Sequence, residues 1–245
     1  MASLLHQKIT MKRLILSAIA IINIITASAG LDEVRDAIRA EYLAAAPSPQ
    51  TASWVRSLGR DGRWPDIDYT DDSRSMWQLE KHLDRIVDMA LAYEQNQQSR
   101  DTQTRRAIDL ALSHWFDTGY RNSNWWYGKI CVPRHMLALA YILDGDLTPA
   151  LRDSVDKAIS VIDSEDYPAR PGGDRIQVIG NHAKVLVWRR DFPAAAALFK
   201  KIEAEARIAP FEEIMYDAAG GPAVRNTHMP AGRGVQADMT FHHRG

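Results

Sequence analysis

The sequence predicts an all-α protein built from paired antiparallel helices, written either as an α/α toroid or as a helical solenoid. Three observations lead there. Apolar residues recur at three-and-four spacing in one segment after another. The helical segments come in pairs joined by short loops, with longer loops after every second one. No stretch shows the alternation and turn spacing of a sheet.

The elements follow in order. Leu31 to Ala46 is Ala-rich and amphipathic, and Pro47-Ser-Pro49 ends it. Residues 54 to 72, with Trp54, Gly59, Gly62, Trp64, Pro65 and many Asp, read as a long irregular segment. From Ser75 to Gln98, Leu79, Leu83, Ile86, Val87 and Ala90 form one buried stripe. Thr102 to Phe116 is a further helix closed by Thr118-Gly119. Pro133 suits a first helical turn and opens a run through Met136, Leu137, Leu139, Ala140 and Leu143. Thr148-Pro149 caps a helix to about Ile162, and Asp174 to Arg190 and Pro193 to Arg207 complete the set.

Residues 1–29 are a separate object. Lys8, Lys12 and Arg13 precede the apolar run Leu14 to Thr26, and Ala27-Ser-Ala29 offers a small-x-small cleavage site. That is the pattern of a secretory signal, shorter than a comfortable membrane span. Met11 is a second candidate start. The expectation is a secreted or periplasmic protein, with residues 30–245 forming one helical domain and no membrane contact after cleavage. Removing the leader leaves 27 Lys+Arg against 31 Asp+Glu, a net of −4. Residues 30–166 carry 16 bases and 23 acids, whereas 167–245 carry 11 bases and 8 acids. A basic segment on an acidic body suits an anionic ligand or a solvated face; nucleic acid is not an expected partner. Cys131 is the only cysteine, so the fold has no internal disulfide and rests on its core.

The chain has no H-E-x-x-H, no paired-Cys metal spacing, no G-x-S-x-G and no phosphate-cradling glycine loop. No metal is expected: adjacent His242 and His243 diverge too far to share one ion. Cys131, between Ile130 and Val132, reads as a small buried hydrophobe. The stretch Arg121-Asn-Ser-Asn-Trp-Trp-Tyr-Gly-Lys-Ile-Cys-Val-Pro-Arg134 stands out. Helical neighbours point about 100° apart, so Trp125 and Trp126 cannot face one core. Asn122, Asn124 and Gly128 bracket them with turn formers, which puts the pair at a helix–loop junction. Flat aromatic faces beside amides and guanidinium groups suit a sugar ring; the other reading is one core Trp covered by its neighbour. Two further clusters are Asp174-Arg175 with Asn181-His182 two turns on, and His242-His243-Arg244. A His beside Arg suits a carboxylate, one moving a proton and the other supplying fixed charge, and a solvated basic loop is the alternative.

Taken together, four stretches resemble polysaccharide lyase family 8, the hyaluronan, chondroitin and xanthan lyases. They are Trp64-Pro-Asp-Ile-Asp-Tyr with Ser73-Arg-Ser-Met-Trp77, His82 and Arg85; Asn124-Trp-Trp-Tyr-Gly-Lys-Ile-Cys-Val-Pro-Arg; Gly172-Gly-Asp-Arg; and Gly234-Val-Gln-Ala-Asp-Met-Thr-Phe-His-His-Arg-Gly. They fall in the family's order along nearly the whole mature chain. The resemblance implies an incomplete (α/α) toroid whose cleft binds an acidic polysaccharide, acting as a monomer without a cofactor. It implies β-elimination: the uronate carboxylate is neutralised, a base takes the C5 proton, and the C4 oxygen leaves. Asn124, Trp125 and Trp126 would bind sugar, Arg175 and Asn181 with Asp174 would lie at the carboxylate, and His243 would serve the elimination with His242 and Arg244 beside it.

This chain departs from the family pattern at three places. Lys129 stands where the family carries Glu, Asp174 where it carries Asn, and Arg244 in the column of its His. The family's catalytic Tyr, its Arg partner and a later Glu would lie past residue 245, so residues 30–245 are expected to be an N-terminal fragment, inactive alone. Tyr120, Tyr127 and Tyr216 match no family position. Two other functions compete: a non-catalytic acidic-glycan-binding protein, and a glycoside hydrolase on the same toroid, for which Asp166, Asp174 and Asp238 are candidate carboxylates.

Overall fold

A computed structural model describes residues 31–96, 101–165 and 173–208, and every regular element among them is helical. The leader 1–29 and the cluster His242-His243-Arg244 lie outside the described residues, as do Asp166, Tyr216 and Asp238. The chain divides into two compact units, one of residues 35–162 and one formed by residues up to Val34 with those from Asp163 onward.

In the first unit, α1 (Leu31–Leu43) contributes all but its opening turn. Arg39 of this helix donates to the carbonyls of Tyr141 and Ile142 and to the buried carboxylate of Glu94. α2 (Thr51–Ser57) is a short helix that overlaps the start of the segment 54–72, which reads from sequence as irregular chain. None of its side chains is buried, so it leaves no apolar stripe for a periodicity argument to find. α3 (Glu80–Gln95) buries His82, Leu83, Ile86, Met89 and Ala90, and starts five residues later than expected because 71–79 form a hydrogen-bonded loop.

α4 (Thr102–Thr118) has both ends fixed by local chemistry. The Asp101 carboxylate accepts from the N–H groups of Gln103 and Thr104, and Gly119 closes the helix at φ 66°. α5 (Val132–Leu143) is the centre of the unit, with every side chain from His135 to Leu143 buried. Pro133 sits in its first turn as expected. It packs against both α3 and α6 (Pro149–Ile159), the latter capped by Thr148 and opened by Pro149.

Gly62, at φ 78°, lets the 59–64 turn approach α4 closely. A Cβ there would stand 2.6 Å from that of His114 and 2.7 Å from the carbonyl oxygen of Leu110. In the second unit α7 (Gly173–Trp188) pairs with α8 (Phe192–Ile208) across a three-residue connection, which makes the two antiparallel. Arg190 takes the left-handed position at φ 62°, and the Asp191 and Arg190 N–H groups return to the carbonyls of Leu186 and Val187. This is the helix-ending motif that glycine ordinarily serves.

Candidate functional site

The two tryptophans open a helix. Residues Tyr127–Cys131 form a π-helical turn that runs directly into α5, and the Val132 N–H reaches back to the Tyr127 carbonyl. Pro133, lacking an N–H, removes one of the bonds that would hold an α register here. Trp125 is 43% exposed and Trp126 half-buried, so neither is a core residue and the reading of one as packing for the other does not hold. Trp126 meets Tyr127 edge to face at 5.3 Å between ring centroids.

Two asparagines hold this junction in the same way. Asn122 Oδ1 accepts from the Asn124 N–H at 2.8 Å while its Nδ2 donates to the Ser73 carbonyl at 2.9 Å. Asn124 Oδ1 accepts from the Trp126 N–H at 3.1 Å while its Nδ2 donates to the Arg74 carbonyl at 2.7 Å. Each amide thus closes a local turn with its oxygen and clamps the 71–78 loop with its nitrogen. A third clamp runs from the Trp77 N–H to the Tyr127 hydroxyl, 2.9 Å. Within the loop, Asp71 accepts from the Ser73 hydroxyl and the Gln78 N–H, bonds that hold its carboxyl below the usual range. Side chains 72–76 are exposed, and Met76, at φ 55°, is 91% exposed.

Beneath the loop lies an aromatic and histidine core. His82 Nε2 donates to the Ala111 carbonyl at 3.1 Å and its Nδ1 lies 2.9 Å from the Tyr69 hydroxyl, which itself accepts from the Trp64 N–H. Burial holds His82 down to about 4, so it is a neutral structural group near pH 7. Burial also lowers His114, whose Nε2 lies 2.8 Å from the Tyr120 hydroxyl. Arg85 lies between the rings of Trp54 and Trp64, 5.3 Å from each centroid, and forms a two-pronged pair with Asp66 at 2.8 and 2.5 Å. Cys131 is fully buried and its thiol is pushed up by that burial, as its sequence neighbours imply.

Sequence reasoning gave no role to Arg134. Its guanidinium lies 5.8 Å from the Trp126 ring centroid and 3.6 Å from the Glu80 carboxylate. In an unbroken α-helix the eighth residue along is turned about 80° away, while the seventh is almost aligned. The π turn takes up one extra residue and brings the eighth under the ring. The tryptophan segment therefore presents aromatic rings with a cation stacked over that of Trp126.

The Asp174 cluster belongs to the other compact unit. Asp174 is exposed in the first turn of α7 and Arg175 is partly exposed beside it. Asn181, two turns on, is only 4% exposed, and its Nδ2 has no hydrogen-bond partner among the described residues. His182 Nδ1 accepts from the Ser164 N–H at 3.1 Å, and burial lowers its pKa.

Comparison with known proteins agrees with this architecture. The family model described as "Polysaccharide lyase family 8, N terminal alpha-helical domain" matches residues 28–180. A protein of Pedobacter heparinus named chondroitinase-AC is 28% identical over 82 residues, covering 33% of this chain and 12% of its own length. A Streptomyces coelicolor A3 chondroitin AC lyase, solved in complex with chondroitin sulphate, aligns over 86% of this chain and 36% of its own at a TM-score of 0.57 and 18% identity. A chondroitinase AC lyase solved as enzyme–oligosaccharide complexes aligns over 80% and 25% at a TM-score of 0.54 and 18% identity. The chain thus spans roughly a third or less of the length of these relatives, and the solved structures share its all-α fold. With the family model covering more than half of its residues, the chain belongs to polysaccharide lyase family 8, through that family's N-terminal alpha-helical domain.

Proposed function

We propose that this chain supplies the sugar-binding helical region of an exported lyase that cleaves chondroitin- or hyaluronan-type polysaccharides by β-elimination. The observation that carries the proposal is the exposed Trp125 and half-exposed Trp126, held in a frame of three hydrogen-bonded clamps with Arg134 over the Trp126 ring. A pyranose stacks its C–H face on such rings, and a guanidinium beside them suits a carboxylate or sulfate on the same chain. The relatives, a chondroitinase-AC and a lyase solved in complex with chondroitin sulphate, support the substrate class.

In the proposed reaction the uronate carboxylate is neutralised first, because the proton to be removed lies α to it and the resulting enolate is otherwise too costly. Arg175 supplies positive charge in the Asp174 cluster, and Asp174 beside it must be kept from facing the uronate. His243 takes the C5 proton, with His242 and Arg244 adjacent, and the C4 oxygen leaves with its sugar. Export rests on the tripartite leader 1–29, and the mature chain acts as a monomer.

The test mixes the 245-residue chain with chondroitin sulfate and, separately, with hyaluronan, following tryptophan fluorescence for binding and ultraviolet absorbance for an unsaturated uronate. Saturable binding that Trp125→Ala weakens about tenfold or more is expected, given what a central aromatic anchor contributes. The 245 residues alone are expected to bind without cutting; an unsaturated product from the uninterrupted reading frame, abolished by His243→Ala, completes the lyase reading. Binding without product in every context supports a glycan-binding protein, and no binding to either polymer overturns the proposal.

A further inference from the structure

Glu80 and Asp84 lie one helical turn apart at the start of α3, and His135 comes from the first turns of the neighbouring α5. One ligand-capable atom from each lies within 4.8 Å of the others. His135 is 6% exposed, and its Nδ1 stands 2.7 Å from the Cys131 carbonyl oxygen. A carbonyl only accepts, so Nδ1 carries the proton. In the neutral ring Nε2 then presents a lone pair, and it stands 2.9 Å from Asp84 Oδ1, which also only accepts. Two acceptors that close are held together either by a shared proton or by a metal ion bound to both. Two ligands each about 2.1 Å from a tetrahedral ion stand about 3.4 Å apart, so the pair needs to open by only about half an ångström to take one.

We propose that Glu80, Asp84 and His135 form a binding site for a divalent transition-metal ion of the zinc class, joining α3 to α5. His135 Nε2 and one oxygen from each carboxylate are the ligands, a donor set of one nitrogen and two oxygens that such ions accept. The Cys131 carbonyl fixes the ring and its tautomer, as outer partners do for histidine ligands. Asp84, with its side chain 57% exposed, gives the ion a way in from solvent. Arg134, 3.6 Å from Glu80 Oε1, and the Cys131 thiol, which bonds the Glu80 carboxylate, are the groups an ion would compete with there. The ion would act structurally, at the point where the 71–79 loop and the tryptophan segment each run into their helices. It is independent of the proposed elimination chemistry.

The experiment strips the full chain with a chelator and titrates it with zinc chloride by calorimetry, with thermal unfolding in parallel. Cobalt(II) is then substituted as a visible-absorbance probe. One equivalent of zinc, a melting temperature raised by about 3 °C or more at saturation, and cobalt bands typical of a mixed nitrogen–oxygen site are expected. All three should be lost in Asp84→Asn, an exposed substitution that keeps the fold, and in His135→Gln. They should persist when His242 and His243 are both replaced by Ala. Absence of stoichiometric binding, or binding unchanged by Asp84→Asn, overturns the proposal and leaves the cluster a hydrogen-bonded histidine–carboxylate pair.

Discussion

Arg134 lies against the ring of Trp126, its guanidinium carbon 5.8 Å from the ring centroid, although eight residues separate them in the chain. An anionic sugar unit seated on Trp126 meets that charge at once. Replacing Arg134 by Leu should weaken binding of sulfated chondroitin about tenfold, in line with loss of one charge-assisted contact, and flatten its salt dependence. Fluorescence titrations at two ionic strengths check this. An unchanged salt slope would remove Arg134 from the binding surface.

Gly62 should tolerate no side chain. Gly62→Ala combines a left-handed φ with a Cβ 2.6 Å from that of His114. A loss of about 2–4 kcal/mol is expected, the left-handed strain and the overpacking each contributing. Urea unfolding of both proteins measures it.

Arg85 supports the loop frame from below through two tryptophan rings and Asp66. Arg85→Lys keeps the charge but loses the flat, two-pronged contact, and a loss of about 1–3 kcal/mol is expected. Because Arg85 is what chiefly lowers the Asp66 pKa, that carboxyl should titrate higher in the variant, as a carboxyl-carbon NMR titration would show.

Stability should fall on the acid side through the histidines. His82 is held down to about 4, so between that pH and its unfolded value near 6.5 the unfolded chain binds the extra proton. Its contribution is whole above about 6.5 and is lost as the pH falls toward 4, at up to about 1.4 kcal/mol per pH unit. His114 and His182 are lowered too and act in the same direction. Unfolding free energies at pH 7, 6 and 5 should decline in that order; a flat profile would contradict the buried, neutral His82.

Much of the helical plan was legible in the sequence, because its signals are local. Asp101, Gly119, Thr148-Pro149 and Pro133 mark helix ends by chemistry that acts within one turn. α2 was illegible since it buries nothing. The tryptophan pair could be assigned to a helix–loop junction from its turn-forming neighbours, whereas the contact with Arg134 depends on a π turn that no α periodicity reveals. The resemblance implies Asn181 near the carboxylate, while Val178 and Val185 stand three before and four after it on a buried face, and the structure buries it with them. Asn124, which the resemblance places at the sugar, has both ends of its amide engaged with backbone, a commitment its place in a turn suggests but does not specify.

The clamps on the 71–78 loop reach its backbone atoms only: the carbonyls of Ser73 and Arg74 and the N–H of Trp77. The two carbonyls are present whatever the side chains at 73 and 74, and the N–H belongs to Trp77, outside 72–76. Mutation at positions 72–76 can therefore alter what the loop presents to solvent while leaving its anchorage intact. Selection for a new polymer has five adjacent positions to explore there without first loosening the tryptophan wall, and a saturation library at those five would search them together.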